Sequence, residues 1–190
     1  MPLSNPLAAE SSKPLILELI KRLGGEAAKH GLDFLLIGGQ AVGILGHPRM
    51  TMDIDFLVRA SSKQSWEELL GTYGYRCFSE GRGFAQFEGK VGWPRLDLML
   101  VDDETFAKLC TESVEDHGRR TPSPRHMVAL KLHAARSGER DADKAAQDWI
   151  DIRKLIELHH LDPREEAFAS LIRRYGGEEA LVRVRQMCHL

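Results

Sequence analysis

The stretch LLIGGQAVGILGHPRMTMDIDFLV, residues 35–58, carries the most informative pattern in the chain. Near its end Ile54, Phe56 and Val58 alternate with Asp53, Asp55 and Leu57, the period-two signature of a strand with one apolar face. Residues i and i+2 of a strand point the same way, with alpha carbons about 6.6 Å apart, so the carboxylates of Asp53 and Asp55 project side by side. Two such anions repel unless a cation lies between them, and hard oxygen donors of this kind suit Mg2+ (or Mn2+), which fills its remaining positions with water and substrate phosphates. An EF-hand is excluded, because Ile54 and Phe56 would place apolar side chains where a calcium loop needs polar ones.

The beginning of the stretch supplies a complementary element. Residues 34–37 form a short apolar run closed by Gly38 and Gly39, a buried strand entering a tight turn, and residues 40–45 have the character of a short helix. A glycine pair between a strand and a helix start lets backbone N–H groups approach a phosphate closely. The turn is a phosphate cradle that lacks a lysine, and no GxxxxGK[ST] motif occurs elsewhere in the chain.

Working outward, Ser11 and Ser12 precede Pro14 and a helical run through Leu15, Leu19 and Leu23, with Gly24 and Gly25 as interruptions. Residues 63–70 read as an amphipathic helix, followed by strands at 73–78, 84–88 and 95–101, punctuated by glycines and Pro94. Asp97, flanked by Leu96 and Leu98, is a candidate third acid on a neighbouring strand, able to complete a two-metal site or to act as general base. Two ions held there would clamp the attacking and leaving oxygens of an in-line displacement. From Pro124 onward the spacing is helical, which sets a boundary at residues 121–124.

Composition limits the function classes. The chain has 190 residues, 43% hydrophobic and 28% charged, with a net charge of -2, so no global basic field marks a polyanion binder. No apolar run spans a bilayer and no signal peptide is visible, so a cytoplasmic protein without membrane partners is expected. Three scattered cysteines without a CxxC pair argue against a disulfide framework or a zinc site. Eight histidines form no HExxH motif, and Trp66, Trp93 and Trp149 read as packing residues.

Ile37-Gly38-Gly39, a thirteen-residue spacer and Asp53-Ile54-Asp55-Phe56 together resemble the signature of the nucleotidyltransferase superfamily, the polymerase-beta-like fold. Arg49-x-Thr51-x-Asp53-x-Asp55 is further similar to the AbiEii-type abortive-infection toxins and their bacterial relatives. Leu130-Lys131-Leu132 and residues 148–155, beginning Asp148-Trp149-Ile150-Asp151, match later motifs of that group in order. The resemblance implies an α/β (α+β) fold: a mixed sheet flanked by helices in residues 1–121, with a helical C-terminal region in residues 122–190. It implies Asp53, Asp55 and Asp97 as catalytic metal ligands, and Gly38, Gly39, Gln40, Arg49, Thr51, Lys131 and Asp148 around the nucleotide, with Lys131 on the triphosphate. Gln40 stands where many members carry serine, and Gln147 where many carry lysine. The implied reaction moves a nucleoside monophosphate from an NTP to a hydroxyl of RNA or tRNA, a protein or a small molecule. The implied partners include a cognate antitoxin.

Three alternatives are set against these readings. A non-catalytic nucleotide- or partner-binding module on the same fold is kept open by Gln40. A metal-dependent nuclease would use Asp97 with Glu88-Gly89-Lys90, but leaves Gly38, Gly39 and the Asp53/Asp55 pair without a role. Asp148 and Asp151 also fit plain surface ion pairs with Lys144 and Lys154, a reading favoured for Asp151.

Overall fold

The computed structural model describes residues 6–136 and 141–188. The backbone divides into two compact units, one comprising Met1–Gln40 and Met50–Thr111, the other Ala41–Arg49 and Glu112–Leu190. Among the described residues, no helix is long and apolar enough to cross a membrane.

The first unit is built on a five-stranded mixed sheet. Its elements are helix α1 (Pro6–Lys29), strand β1 (Leu35–Ile37), strand β2 (Ile54–Arg59), helix α3 (Lys63–Thr72), strands β3 (Arg76–Gly81), β4 (Phe84–Glu88) and β5 (Leu96–Val101), and helix α4 (Asp103–Thr111). Helix α2 (Gly38–Ile44) follows β1 directly and contributes its first three residues to this unit. The strand order is β1-β2-β5-β4-β3, with β2 and β5 parallel and every other neighbouring pair antiparallel. One face carries Ile54, Phe56, Ala85, Phe87, Leu96 and Leu98, all buried. Phe56 there meets Phe34 and Trp66 with ring centroids 4.3 and 5.7 Å apart, so Trp66 is a core residue as its apolar setting implies.

Two expectations for this unit need correction. Helix α1 already runs from Pro6, so Ser11, Ser12 and Pro14 lie within it instead of at its start, and it continues through Gly24 and Gly25. The strand expected at 73–78 is displaced to Arg76–Gly81, because α3 extends to Thr72 and the chain then turns through Gly74 at φ +82°.

The second unit is helical apart from a hairpin. Strands β6 (Val114–Asp116) and β7 (Arg119–Thr121) pair antiparallel across His117 and Gly118, both at positive φ, the backbone of a primed two-residue turn. Helices α5 (Pro124–Ala135), α6 (Ala142–Leu158), α7 (Glu166–Gly176) and α8 (Glu178–Met187) bury Leu132, Ile152, Leu155, Phe168, Ile172 and Leu181. Asp141 caps α6, its carboxylate accepting from the backbone N–H groups of Asp143 and Lys144.

Candidate active site

The sheet register brings two of the sequence-selected acids together. Asp55 on β2 and Asp97 on β5 are direct cross-strand partners, and parallel neighbouring strands run about 4.8 Å apart. Asp53 lies just before β2, where the Ile54 N–H donates to the Arg95 carbonyl at 2.9 Å and carries the pairing back past the strand ends. Since Ile54 and Phe56 point into the core, alternation turns Asp53 and Asp55 to the opposite, less covered face. Among the described residues, the three acids do not form a group whose ligand atoms all lie within 4.8 Å of one another. That tighter grouping occurs at Glu67, Cys77 and Glu80, where Lys63 already bridges the two carboxylates.

The glycine pair closes on this row. Gly38 sits at φ +66°, and a Cβ at that position would lie 2.0 Å from Asp55 Oδ2. A Cβ on Gly39 would come within 2.8 Å of the Thr51 Cβ. Only glycines allow this approach between the β1-α2 turn and the acidic strand. Gln40, the next residue of α2, is half-buried.

A residue that sequence reading passed over completes the row. Gln86 on β4 is the other cross-strand partner of Asp97, and its Nε2 donates to Asp97 Oδ2 at 3.0 Å. The period-two pattern of residues 84–88 places Gln86 on the polar face, but only the register shows which acid it meets. Glu88 instead pairs with Arg76 at 2.8 Å, and Lys90 lies over the Trp93 ring, so the acid-x-lysine element is engaged elsewhere.

The second unit gathers a different set. Lys131 on α5 is buried, its Nζ 2.7 Å from Asp148 Oδ1 and 2.8 Å from Asp151 Oδ2, both on α6. Arg49 faces Asp151 with two nitrogens, Nε at 3.1 Å from Oδ1 and a terminal nitrogen at 3.1 Å from Oδ2, and Gln147 Nε2 donates to Asp151 Oδ1 at 3.0 Å. Burial pushes the Asp151 carboxyl up, but the charge and hydrogen bond of Lys131, the Gln147 amide and the Arg49 charge together hold it below the ordinary carboxylate range. The surface-pair reading of Asp151 is therefore corrected: its side chain is fully buried, and Lys154 pairs with Glu157 instead. Spacing along α6 shows only the i, i+3 and i, i+4 partners on its own helix, which is why Lys131 and Arg49 were invisible as partners of Asp151.

Comparison with known proteins bears on both regions. Residues 100–187 match the family model "Nucleotidyl transferase AbiEii toxin, Type IV TA system". Among solved structures, ANT(2'')-Ia in complex with adenylyl-2''-tobramycin superposes with a TM-score of 0.63 at 20% identity, over 85% of this chain and 99% of that one. The lincosamide antibiotic adenylyltransferase LnuA, lincomycin-bound, gives a TM-score of 0.54 at 18% identity, over 78% and 97%. JHP933 from Helicobacter pylori gives 0.56 at 18%, over 96% and 80%. The chain has the nucleotidyltransferase-superfamily fold. No curated protein matches its sequence.

Within this nucleotidyltransferase fold the two units carry different features. The family match covers the region of Lys131, Asp148 and Asp151 and does not reach the acidic strand. The sheet register of the first unit brings Asp55, Asp97 and Gln86 together, with Gly38 against Asp55 and Asp53 just before β2.

Proposed function

We propose that this chain is a metal-dependent nucleotidyltransferase that moves a nucleoside monophosphate from an NTP to a hydroxyl acceptor. The observation that carries this reading is the parallel pairing of Asp55 with Asp97, two residues beyond Asp53 and closed on one flank by Gly38. The donor set fits a divalent cation: Asp55 and Asp97 are cross-strand partners, Asp53 lies just before β2, and the glycine turn admits Asp55 where any side chain would displace it. Mg2+ commonly takes one or two carboxylates and completes its shell with water and phosphate oxygens, so three mutually touching oxygens are not needed.

Asp53 and Asp55 would hold Mg2+ or Mn2+, and Asp97 would complete the site and accept the acceptor's hydroxyl proton. Bound metal supplies neutralisation of phosphate charge and a lower hydroxyl pKa. Gln86 holds the Asp97 carboxylate in orientation through its amide. Gly38 and Gly39 offer backbone to the phosphates, with Gln40 and Thr51 beside them. For Lys131, Asp148 and Arg49 the geometry supports a reading other than nucleotide contact. Two cations and two buried carboxylates neutralise one another inside the helical unit, which supports a role in holding that unit together.

The test is a screen of the four labelled NTPs with Mg2+ or Mn2+ against tRNA, protein and small-molecule pools, with Asp53→Ala as control. Label incorporated by wild type and lost in the variant supports the transferase. Nucleotide binding without label in any pool favours the binding module that Gln40 keeps open. The family match supports a toxin with an antitoxin partner, and growth arrest of a bacterial host by wild type but not by Asp53→Ala tests the toxin role.

A further inference from the structure

A cavity of about 370 Å³ opens in the first unit beside Asp53, next to the starting ends of β2 and β5. Leu15 of α1, Met52, and Trp93, Pro94 and Arg95 of the segment entering β5 form its walls with Asp53. That segment is anchored. Tyr75 donates its buried hydroxyl to the Pro94 carbonyl at 3.0 Å, and Trp93 stands edge-on to the Tyr75 ring at 5.8 Å. Burial pushes the Tyr75 phenol up to about 12, so it remains a donor at physiological pH. The wall is thus fixed before a ligand arrives, which lowers the ordering cost of binding.

The sheet order places this cavity on a definite side of the acids. Gly38 follows β1 on one flank of β2, and the Trp93–Arg95 segment leads into β5 on the other. In-line displacement requires the attacking oxygen and the leaving group on opposite sides of phosphorus. A donor phosphate on the glycine flank therefore leaves the cavity flank to the acceptor.

We propose that this cavity is the acceptor subsite, and that it takes a small hydroxyl-bearing molecule with a planar or apolar body and an anionic group. The proposal rests on nucleotidyl transfer at Asp53, Asp55 and Asp97. The acceptor oxygen forms a bond to the α-phosphorus of the NTP as the bond from that phosphorus to the bridging oxygen breaks. Pyrophosphate leaves with the electron pair, and the hydroxyl proton passes to Asp97.

Size, surface and charge select the ligand. The volume lies near the lower end of the roughly 300–1,000 Å³ usual for small-molecule sites, enough for a whole small acceptor. Leu15 and Met52 leave 41% and 48% of their surface exposed at its mouth, an apolar surface for a ring or aliphatic body. Arg95 lies over the Phe78 ring at 5.3 Å and Lys90 over Trp93 at 5.7 Å, and among the described residues neither pairs with a carboxylate. Of the two charged residues in the wall, Arg95 draws an anionic group on the ligand to its own side, away from Asp53.

The test uses the full chain and anilinonaphthalene sulfonate, an aromatic anion that fluoresces in apolar sites. Leu15→Trp fills the cavity from an exposed position, and Arg95→Glu reverses its charge; both are first checked for wild-type circular dichroism and melting. Saturable dye binding whose dissociation constant rises about tenfold or more in both variants, with mant-ATP bound alike by all three proteins, is the expected result. Equal dye binding by all three overturns the subsite. In parallel, label from NTP is expected in a pool of hydroxybenzoates and sugar phosphates, and lost in both variants. Label entering only tRNA, with both variants as active as wild type, overturns the proposal. Labelling that survives Asp53→Ala overturns the transfer reading itself, and the dye titration, which needs no turnover, separates that outcome from failure of the cavity.

Discussion

The Asp55 carboxylate occupies the space that a side chain at position 38 would fill, its Oδ2 2.0 Å and its Cγ 2.6 Å from an ideal Cβ on Gly38. Gly38→Ala must therefore displace Asp55 and also hold alanine at φ +66°, a conformation that L residues rarely adopt. The expected outcome is a loss of about 1–2 kcal/mol of stability and of about 100-fold or more in turnover, since a misplacement near 1 Å suffices for the latter. Urea denaturation and initial rates measure the two effects. Wild-type turnover in a folded Gly38→Ala protein would remove the glycine turn from the site.

Gln86 gives a finer probe of Asp97. Gln86→Glu replaces the amide donor, 3.0 Å from Asp97 Oδ2, with a second carboxylate facing Asp97 across the β4-β5 ladder. Like charge at that distance disfavours ionisation, so the acid limb of the pH-rate profile is expected to move to higher pH. If Asp97 takes no part in proton transfer, the limb stays in place while stability alone falls. Gln86→Ala, which only deletes a hydrogen bond, should lose about 0.5–1.5 kcal/mol of stability and shift the limb less.

The sequence made the local half of this arrangement legible. Alternation in residues 53–58 placed Asp53 and Asp55 on one face, and the strand character of residues 95–101 nominated Asp97, because both signals depend only on near neighbours along the chain. Register does not. That Asp97 stands opposite Asp55 and not opposite Asp53, and that Gln86 is its other neighbour, is set by pairing between strands distant in the chain, which a two-residue slip would change without moving any side chain to the other face. The β6-β7 hairpin escaped notice because His117-Gly118 is a weaker turn signal than Asn-Gly, and each strand is only three residues long. Nor could helical spacing show that residues 41–49 join the helical unit, where Arg49 meets Asp151 more than one hundred positions later in the chain.

The buried cluster of the helical unit predicts a stability effect distinct from catalysis. Lys131→Met leaves Asp148 and Asp151 buried without the ammonium that lies 2.7 and 2.8 Å from them. Removing one partner of a buried ion pair typically destabilises by about 3–5 kcal/mol, because the remaining charge is uncompensated. Lys131→Met with Asp148→Asn should recover part of that loss, which a double-mutant cycle by urea denaturation would measure. A Lys131→Met protein as stable as wild type, with weakened NTP binding, would instead return Lys131 to the triphosphate.

Asp151 fixes the sign of the pH dependence. Burial alone would raise its pKa, but Lys131, Gln147 and Arg49 outweigh burial and hold it below the ordinary value. A carboxyl whose native pKa is depressed binds fewer protons folded than unfolded. Its contribution to stability is therefore complete above the unfolded value of about 3.9 and is lost as pH falls toward and through the native one. Asp151→Asn removes the titrating group while keeping a side chain of similar size. The stability gap between wild type and Asp151→Asn should be constant from about pH 8 to 5 and should narrow below about pH 4, as followed by chemical denaturation across that range. A gap that widened on acidification would mean that burial, and not the two cations, governs Asp151.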